Sequence, residues 1–123
     1  MKKIITGMLF VVALLAMPMV VEAAQNEGSP NGASMITDRV DSYDNDYHYI
    51  TFYGGQRAIV AVEGDHDTDL DLIIYDENGN QVASHIDNYD NCVCSWVPNR
   101  TATYTIKIRN YGDVYNAYTL YYN

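Results

Sequence analysis

The sequence predicts an all-β domain, an antiparallel β-sandwich of seven to eight strands. Short segments between residues 35 and 123 place apolar side chains at every second position, which is the side-chain period of a β-strand. Gly, Pro, Asn and Asp residues separate these segments at regular intervals. No segment after the predicted N-terminal targeting region repeats its apolar residues with the period of a helix, so helical fold classes are disfavoured.

The most distinctive element is a hairpin in the middle of the chain. Leu70, Leu72 and Ile74 lie on one face of its first strand, and a returning strand follows at residues 81–86. The intervening residues 76–80 include an Asn-Gly pair, which adopts tight-turn dihedrals at little steric cost. The pattern therefore predicts two adjacent antiparallel strands.

Further strands are predicted on both sides of this hairpin. They span residues 35–40, 47–53, 58–63, 91–97, 103–110 and 115–122. A Gly54-Gly55 turn follows the second of these, so we expect the second and third to form a hairpin.

The alternation within the strands also predicts the core. Larger apolar side chains occupy one face of each strand, and polar side chains on the other face reach solvent. The predicted inner face consists of Leu70, Leu72, Ile74, Trp96, Tyr104, Ile106, Ile108, Tyr118 and Leu120. The same alternation places Asp71, Lys107 and Arg109 outside.

The first 23 residues have the composition of a secretory signal peptide. Lys2 and Lys3 precede an apolar run, and Val21 and Ala23 are small enough for cleavage after Ala23. The alternative is a transmembrane anchor, which needs a continuous run of about 20 apolar residues, and the apolar run here is shorter. We predict a signal peptide at 1–23, a flexible leader at 24–34 and one domain at 35–123. The protein would be exported, periplasmic or secreted, with no membrane attachment after cleavage.

The charge of the chain narrows the range of partners. Its formal net charge is −9, and loss of the signal peptide with Lys2, Lys3 and Glu22 makes it one unit more negative. Such a surface repels phosphates, and proteins that bind nucleic acid or anionic lipid need clustered Lys and Arg. The sequence thus disfavours nucleic-acid binding and membrane-surface roles.

Several motifs occur in a characteristic order. The segments GDHDTDLDLIIYDENGNQVAS, CVCSW, TYTIKIRN and NAYTL follow a Gly55-Gln56 turn. Together they resemble the bacterial pre-peptidase C-terminal (PPC) domain over residues 43–123. The sequence departs from that family at Ala102, where Gly is usual, and at His48, where an aromatic residue would face the core.

The resemblance implies a jelly-roll-like β-sandwich without catalytic activity. Domains of this family are appended to secreted peptidases and other exported enzymes, or occur as small stand-alone exported proteins. The sequence shows no G-x-S-x-G, H-E-x-x-H or cysteine-nucleophile motif, and Ser84 and His85 point to opposite faces of a strand. We predict a non-catalytic accessory or interaction module that binds protein or polysaccharide.

Alternating carboxylates form the predicted metal site, which consists of Asp65, Asp67, Asp69 and Asp71, to which the acidic loop at residues 87–90 could contribute. Alternate side chains on an extended chain lie about 6.6 Å apart on one face, and a bound Ca²⁺ would relieve the repulsion between their charges. The segment lacks the Gly and Glu positions of an EF-hand loop. In the alternative interpretation these aspartates cap turns through backbone amides. A calcium-stabilised structural domain is therefore the second functional hypothesis.

Outward tyrosines form the predicted binding surface. They are Tyr47, Tyr49, Tyr53, Tyr75 and Tyr121, out of twelve tyrosines in the chain. An exposed tyrosine ring can stack on a sugar ring or anchor a protein partner. In the alternative interpretation, β-propensity alone selects tyrosine at these positions.

The two cysteines, Cys92 and Cys94, are separated by one residue. Side chains two apart on a strand are parallel and about 6.6 Å apart, whereas a disulfide needs Cβ atoms about 3.8 Å apart. We predict that the two cysteines are not joined to each other and pack on the inner face beside Trp96. A bridge or a metal site is the alternative, although the histidines show no ligand spacing.

Overall fold

Residues 34–123 form eight β-strands in two sheets. The computed structural model describes residues 34–123, so the predicted signal peptide, and the predicted leader apart from Ser34, lie outside the described residues. The strands are β1 Ser34–Val40, β2 Asn45–Phe52, β3 Ala58–Glu63, β4 Leu70–Tyr75, β5 Gln81–His85, β6 Asn91–Trp96, β7 Ala102–Asn110 and β8 Asn116–Tyr122. The predicted antiparallel β-sandwich is confirmed.

The order of the strands is nested. The first sheet has the order β1-β8-β3-β6, and the second sheet has the order β2-β7-β4-β5. Strand β1 therefore neighbours β8, β2 neighbours β7, β3 neighbours β6 and β4 neighbours β5. This nested pairing is that of an eight-stranded jelly roll, in which two sheets pack face to face around one core. Residues 34–123 contain no helical segment with the length and hydropathy of a transmembrane span.

The central hairpin is confirmed. Strands β4 and β5 pair in antiparallel fashion. In the turn between them, Asp76 Oδ1 accepts hydrogen bonds from the backbone amides of Asn78 and Asn80, each at 2.9 Å, and Gly79 has a φ of 83°. The backbone amide of Asn80, followed by that of Asn78, lowers the pKa of Asp76.

The second expected hairpin, formed by residues 47–53 and 58–63, is wrong. Strand β2 pairs with β7 in the second sheet, whereas β3 pairs with β6 and β8 in the first. The connection over residues 53–57 passes from one sheet to the other, with Gly55 at a φ of 80°. A Gly-Gly turn is compatible with either arrangement, because it fixes local dihedrals and leaves the choice of partner strand to the rest of the chain.

The core lies between the sheets and follows the predicted alternation. Every residue of the predicted inner face is buried except Trp96, which is half-buried. Val60, Val62 and Phe52 complete the core from β3 and β2. Cys92 and Cys94 are buried there and unbridged.

Asp71 departs from its predicted exposure. Its side chain lies on the outer face of β4, as the alternation requires, but only 3% of its surface is accessible. Groups from loops beyond the strands contact it: the Tyr111 hydroxyl and the Asp87 amide donate to its carboxylate. The prediction of a solvent-exposed Asp71 is wrong, because alternation gives the direction of a side chain and not what packs over it.

Candidate functional site

The loops at one end of the sandwich carry most of the acidic residues. This acidic end comprises loops 41–44, 64–69, 86–90 and 111–115. Its acidic residues are Asp41, Asp44, Asp65, Asp67, Asp69, Asp87, Asp90 and Asp113. The loops at the opposite end carry Asp76 and Glu77. The fold thus concentrates negative charge at the end where β4 begins.

The first of the predicted metal ligands, Asp65, is a turn cap. Its Oδ1 accepts a hydrogen bond from the Asp67 amide at 3.0 Å, and its Oδ2 accepts one from the Ala117 amide at 2.8 Å. The side chain of Asp67 is exposed. These contacts are those of the capping interpretation, and within residues 34–123 the four predicted ligands include no three whose ligand atoms all lie within 4.8 Å of one another.

Asp69 and Asp71 have a different environment. The Oδ1 atom of each is buried and has no hydrogen-bond partner in the described part of the chain. The Tyr111 hydroxyl and the Asp87 amide donate to the Asp71 carboxylate. Burial raises the pKa of both carboxyls; the charges of Asp87 and Asp90 raise that of Asp69 further, and the charge of Asp69 raises that of Asp71.

A buried polar network fixes the loops around this pair. Asp90 Oδ2 accepts hydrogen bonds from the His66 amide and from Asn116 Nδ2, the latter at 3.2 Å. Asn116 Oδ1 accepts from the Asp65 amide at 3.0 Å, and its Nδ2 also donates to the Thr68 carbonyl at 3.3 Å. The side chains of Asp90 and Asn116 therefore hold loop 64–69 to loop 86–90 and to the start of β8, and neither residue was predicted to have this role.

Asn110 has the same role in the neighbouring loops. Its Nδ2 donates to the carbonyls of Val114, Asp41 and Val40, at 2.8, 3.1 and 3.3 Å. Its Oδ1 accepts from the Gly112 amide at 2.8 Å. The sequence did contain a signal for both Asn110 and Asn116. Each occupies an inward-facing position of its strand, where the alternation predicts an apolar residue, and a buried polar side chain needs hydrogen-bond partners.

A second group of potential ligands lies between the two sheets. Single ligand atoms of Asp38, Asp46 and His48 all lie within 4.8 Å of one another. The Tyr118 hydroxyl donates to Asp46 Oδ2 at 2.7 Å and lies 2.7 Å from His48 Nε2. Burial raises the pKa of Asp46 and of Tyr118. His48 stands where an aromatic core residue was expected, and its imidazole contacts the Tyr118 hydroxyl instead.

The structure brings three of the five predicted surface tyrosines onto one face. On the outer face of the second sheet, Tyr49 and Tyr75 flank Thr105 in one row across three strands. Tyr47 lies in the next row, opposite Lys107. Tyr47 and Tyr49 are 49% and 69% exposed, and Tyr75 is half-buried. We call Tyr47, Tyr49 and Tyr75 the tyrosine face.

The other two tyrosines lie elsewhere. Tyr53 follows the end of β2 and is half-buried. Tyr121 belongs to β8 in the first sheet, where its hydroxyl donates to Glu63 at 3.2 Å. They do not extend the tyrosine face.

The His85 imidazole forms hydrogen bonds with Val93 and Asp87. Its Nδ1 accepts a hydrogen bond from the Val93 amide at 2.9 Å, and its Nε2 lies 2.9 Å from Asp87 Oδ2. Strand β6 is an edge strand, so this imidazole caps a backbone amide that would otherwise face solvent.

No family model matches the chain, and a search of curated proteins finds no match. The resemblance to the PPC domain therefore stays a prediction that rests on the motifs quoted above.

Proposed function

We propose that this chain is a non-catalytic, exported binding module that contacts a polysaccharide through the tyrosine face. The observation that carries the proposal is the placement of Tyr47, Tyr49 and Tyr75 in adjacent rows of one outer sheet face. The backbones that carry Tyr49 and Tyr75 are separated by two strand spacings, about 9.6 Å, so the rings span more than one binding position on an extended ligand.

The chemistry of this face suits a hydroxyl-rich ligand. A tyrosine ring combines an apolar face with a polar hydroxyl, which matches the apolar faces and hydroxyl edges of a sugar. Thr105 lies between two of the rings, and the Thr51 and Thr103 hydroxyls form a pair at 2.9 Å on the same face. A neutral polysaccharide is favoured over a polyanion, because the net charge of −9 opposes the approach of negative chains.

The sequence supplies further support. The N-terminal residues have the features of a secretory signal peptide, and an exported protein meets polysaccharides outside the cytoplasm. The motif resemblance to PPC domains points to the same accessory role beside exported enzymes.

A glycan and peptide array tests this proposal. The purified chain is expected to bind one or more neutral glycans, and Tyr47→Ala with Tyr49→Ala is expected to reduce that binding at least tenfold. Tyr89→Ala is the matched control, because Tyr89 is 72% exposed but lies in the acidic end, away from the tyrosine face. Thermal melts verify that each variant is folded. Binding to peptides but to no glycan would contradict the polysaccharide and indicate a protein partner. Glycan binding that the double variant leaves unchanged would refute the assignment to the tyrosine face.

A further inference from the structure

We infer that Asp69 and Asp71 bind a hard divalent cation, Ca²⁺, at the acidic end of the sandwich. This site is separate from the tyrosine residues of the proposed function. It rests on the two buried Oδ1 atoms that have no hydrogen-bond partner within residues 34–123. A buried carboxylate oxygen without a hydrogen-bond partner is destabilising, and a cation bound to that oxygen offsets the cost.

No side-chain cation of the described chain neutralises the pair. Arg109 lies directly across from Asp71 in the register of β4 and β7. Its guanidinium lies instead over the Tyr111 ring, 5.0 Å from the centroid, and donates to Asn45 Oδ1 at 3.4 Å. The ion pairs within residues 34–123 involve neither Asp69 nor Asp71.

The donor atoms select the class of cation. The two orphan ligands are carboxylate oxygens, which suit Ca²⁺ or Mg²⁺ rather than soft metals. The Cys92 thiol, which lies close enough to be affected by the charges of both aspartates, donates to the Leu70 carbonyl at 3.2 Å. Burial raises the pKa of this thiol, and its hydrogen bond points to the Leu70 carbonyl rather than to either aspartate.

The surroundings favour Ca²⁺ over Mg²⁺. A groove lined by residues 66–69 and 88–90 opens beside Asp69, which gives the ion an entry path and room for water ligands. Ca²⁺ accepts six to eight oxygens in irregular geometry, whereas Mg²⁺ requires a near-octahedral set. Two carboxylates of different burial beside an open groove fit the less demanding ion.

The ion would join two parts of the fold. Asp71 already accepts a hydrogen bond from the Asp87 amide, and Leu70 donates to the Tyr89 carbonyl. A cation on Asp69 and Asp71 would also offset the negative charges of Asp87 and Asp90 in the same loop. Binding should therefore stabilise the attachment of loop 86–90 to the start of β4.

Titration calorimetry and thermal melts of the purified chain test the inference. With CaCl₂ at 100 times the dissociation constant, the melting temperature is expected to rise by roughly 10–20 °C relative to the chain in chelator. CaCl₂ is expected to bind at least tenfold more tightly than MgCl₂. Absence of both heat and a melting shift with either salt would overturn the inference, and tighter binding of MgCl₂ would overturn the assignment of Ca²⁺.

Matched variants locate the ion. Asp71→Asn is expected to lose at least tenfold in Ca²⁺ affinity and to melt higher than the parent in chelator, because a buried charge with one unsatisfied oxygen is gone. Asp113→Asn is the control on an exposed aspartate of the acidic end, and Asp38→Asn tests the separate Asp38, Asp46 and His48 group. A Ca²⁺ response that survives Asp71→Asn, or that is lost in either control, would overturn the site.

Terbium luminescence covers the case in which Asp71→Asn does not fold. Tb³⁺ replaces Ca²⁺ at oxygen sites and emits when a nearby tyrosine is excited, and the Tyr111 hydroxyl contacts the Asp71 carboxylate. The parent is expected to show emission that CaCl₂ displaces, and Tyr111→Phe is expected to lose most of it. Emission unchanged both by Tyr111→Phe and by Tyr89→Phe, the other tyrosine beside the groove, would place the ion elsewhere. If the two carboxyls share a proton and bind no ion, the parent would show no emission that CaCl₂ displaces. That result would also overturn the inference.

Discussion

The two ends of the sandwich are stabilised by different kinds of interaction. At the acidic end, the side chains of Asn110, Asn116 and Asp90 tie the loops together through directional hydrogen bonds. At the opposite end, the aromatic end, Phe52 packs edge-on against Trp96 and Tyr122, with ring centroids 5.0 and 6.4 Å away.

The difference determines how each end responds to its surroundings. Aromatic packing involves no ionisable group, so its contribution to stability changes little with pH or cations. A buried polar network positions its loops closely, but each lost partner leaves an unsatisfied group. We therefore expect the polar network of the acidic end to respond to pH and cations more strongly than the aromatic packing of the opposite end.

Removing the centre of the aromatic end should have the largest effect. Phe52→Ala is expected to lower the free energy of unfolding by about 3–5 kcal/mol, because Phe52 is fully buried and also contacts Tyr104. Urea melts measure the loss, with Val97→Ala as an exposed apolar control at the same end. The loss should be equal in chelator and in CaCl₂, and a calcium-dependent loss would contradict the separation of the two ends.

Removing one asparagine of the acidic end should have the next largest effect. Asn110→Ala is expected to cost about 2–3 kcal/mol, because three carbonyls and the Gly112 amide lose a buried partner. The same urea melts measure it, with Asn99→Ala as the exposed control. A cost below about 0.5 kcal/mol would mean that water replaces the side chain without penalty.

Much of the fold was predictable because it follows from a period of two. Alternation indicated the strands, the inner residues Ile106 and Leu72, and the central hairpin. The Gly54-Gly55 turn led to a wrong hairpin, because the partner of a strand is set by residues far along the chain and not by the dihedrals of a local turn. Nested pairing of β1 with β8 is a property of the whole chain.

Less of the candidate site was predictable, for a related reason. The run of aspartates indicated negative charge correctly, but Asp65 and Asp71 have opposite roles that depend on residues far along the chain. Asp65 meets the Ala117 amide, whereas Asp71 is covered by Tyr111. Sequence spacing fixes the direction of a side chain, and the partners above it come from loops whose positions only the tertiary fold sets.

The charge of Asp46, which lies in β2 two residues after loop 41–44 of the acidic end, provides a smaller test of that end. Burial raises its folded pKa above the unfolded value, with the charges of Asp38 and Asp44 adding to the rise and the Tyr118 hydroxyl and His48 opposing it. The ionised form is therefore disfavoured by the fold: the penalty is fully present above the raised pKa and is lost as the pH falls toward the unfolded value, about 3.9.

Asp46→Asn should therefore melt slightly above the parent at pH 7, and the gap should close as the pH falls toward 4. Melting temperatures of the two chains over this range, in chelator, measure the gap. Asp113→Asn, an exposed change at the same end, controls for the loss of one negative charge. A gap that widens at low pH would mean that the fold favours the ionised form of Asp46, the opposite of what its burial requires.

The smallest expected effect belongs to Lys107, on the outer face between the two ends. Its register neighbours are Tyr47 and Ile73, and it forms no ion pair within residues 34–123. Lys107→Ala is expected to cost about 0.5 kcal/mol or less, since only the stem of the side chain covers Ile73. Leu72→Ala, which empties a fully buried position on the adjacent strand, should cost about 2–5 kcal/mol in the same urea melts. Indistinguishable melts for these two variants would mean that inward and outward positions do not differ energetically, which would contradict the register on which both the core and the tyrosine face depend.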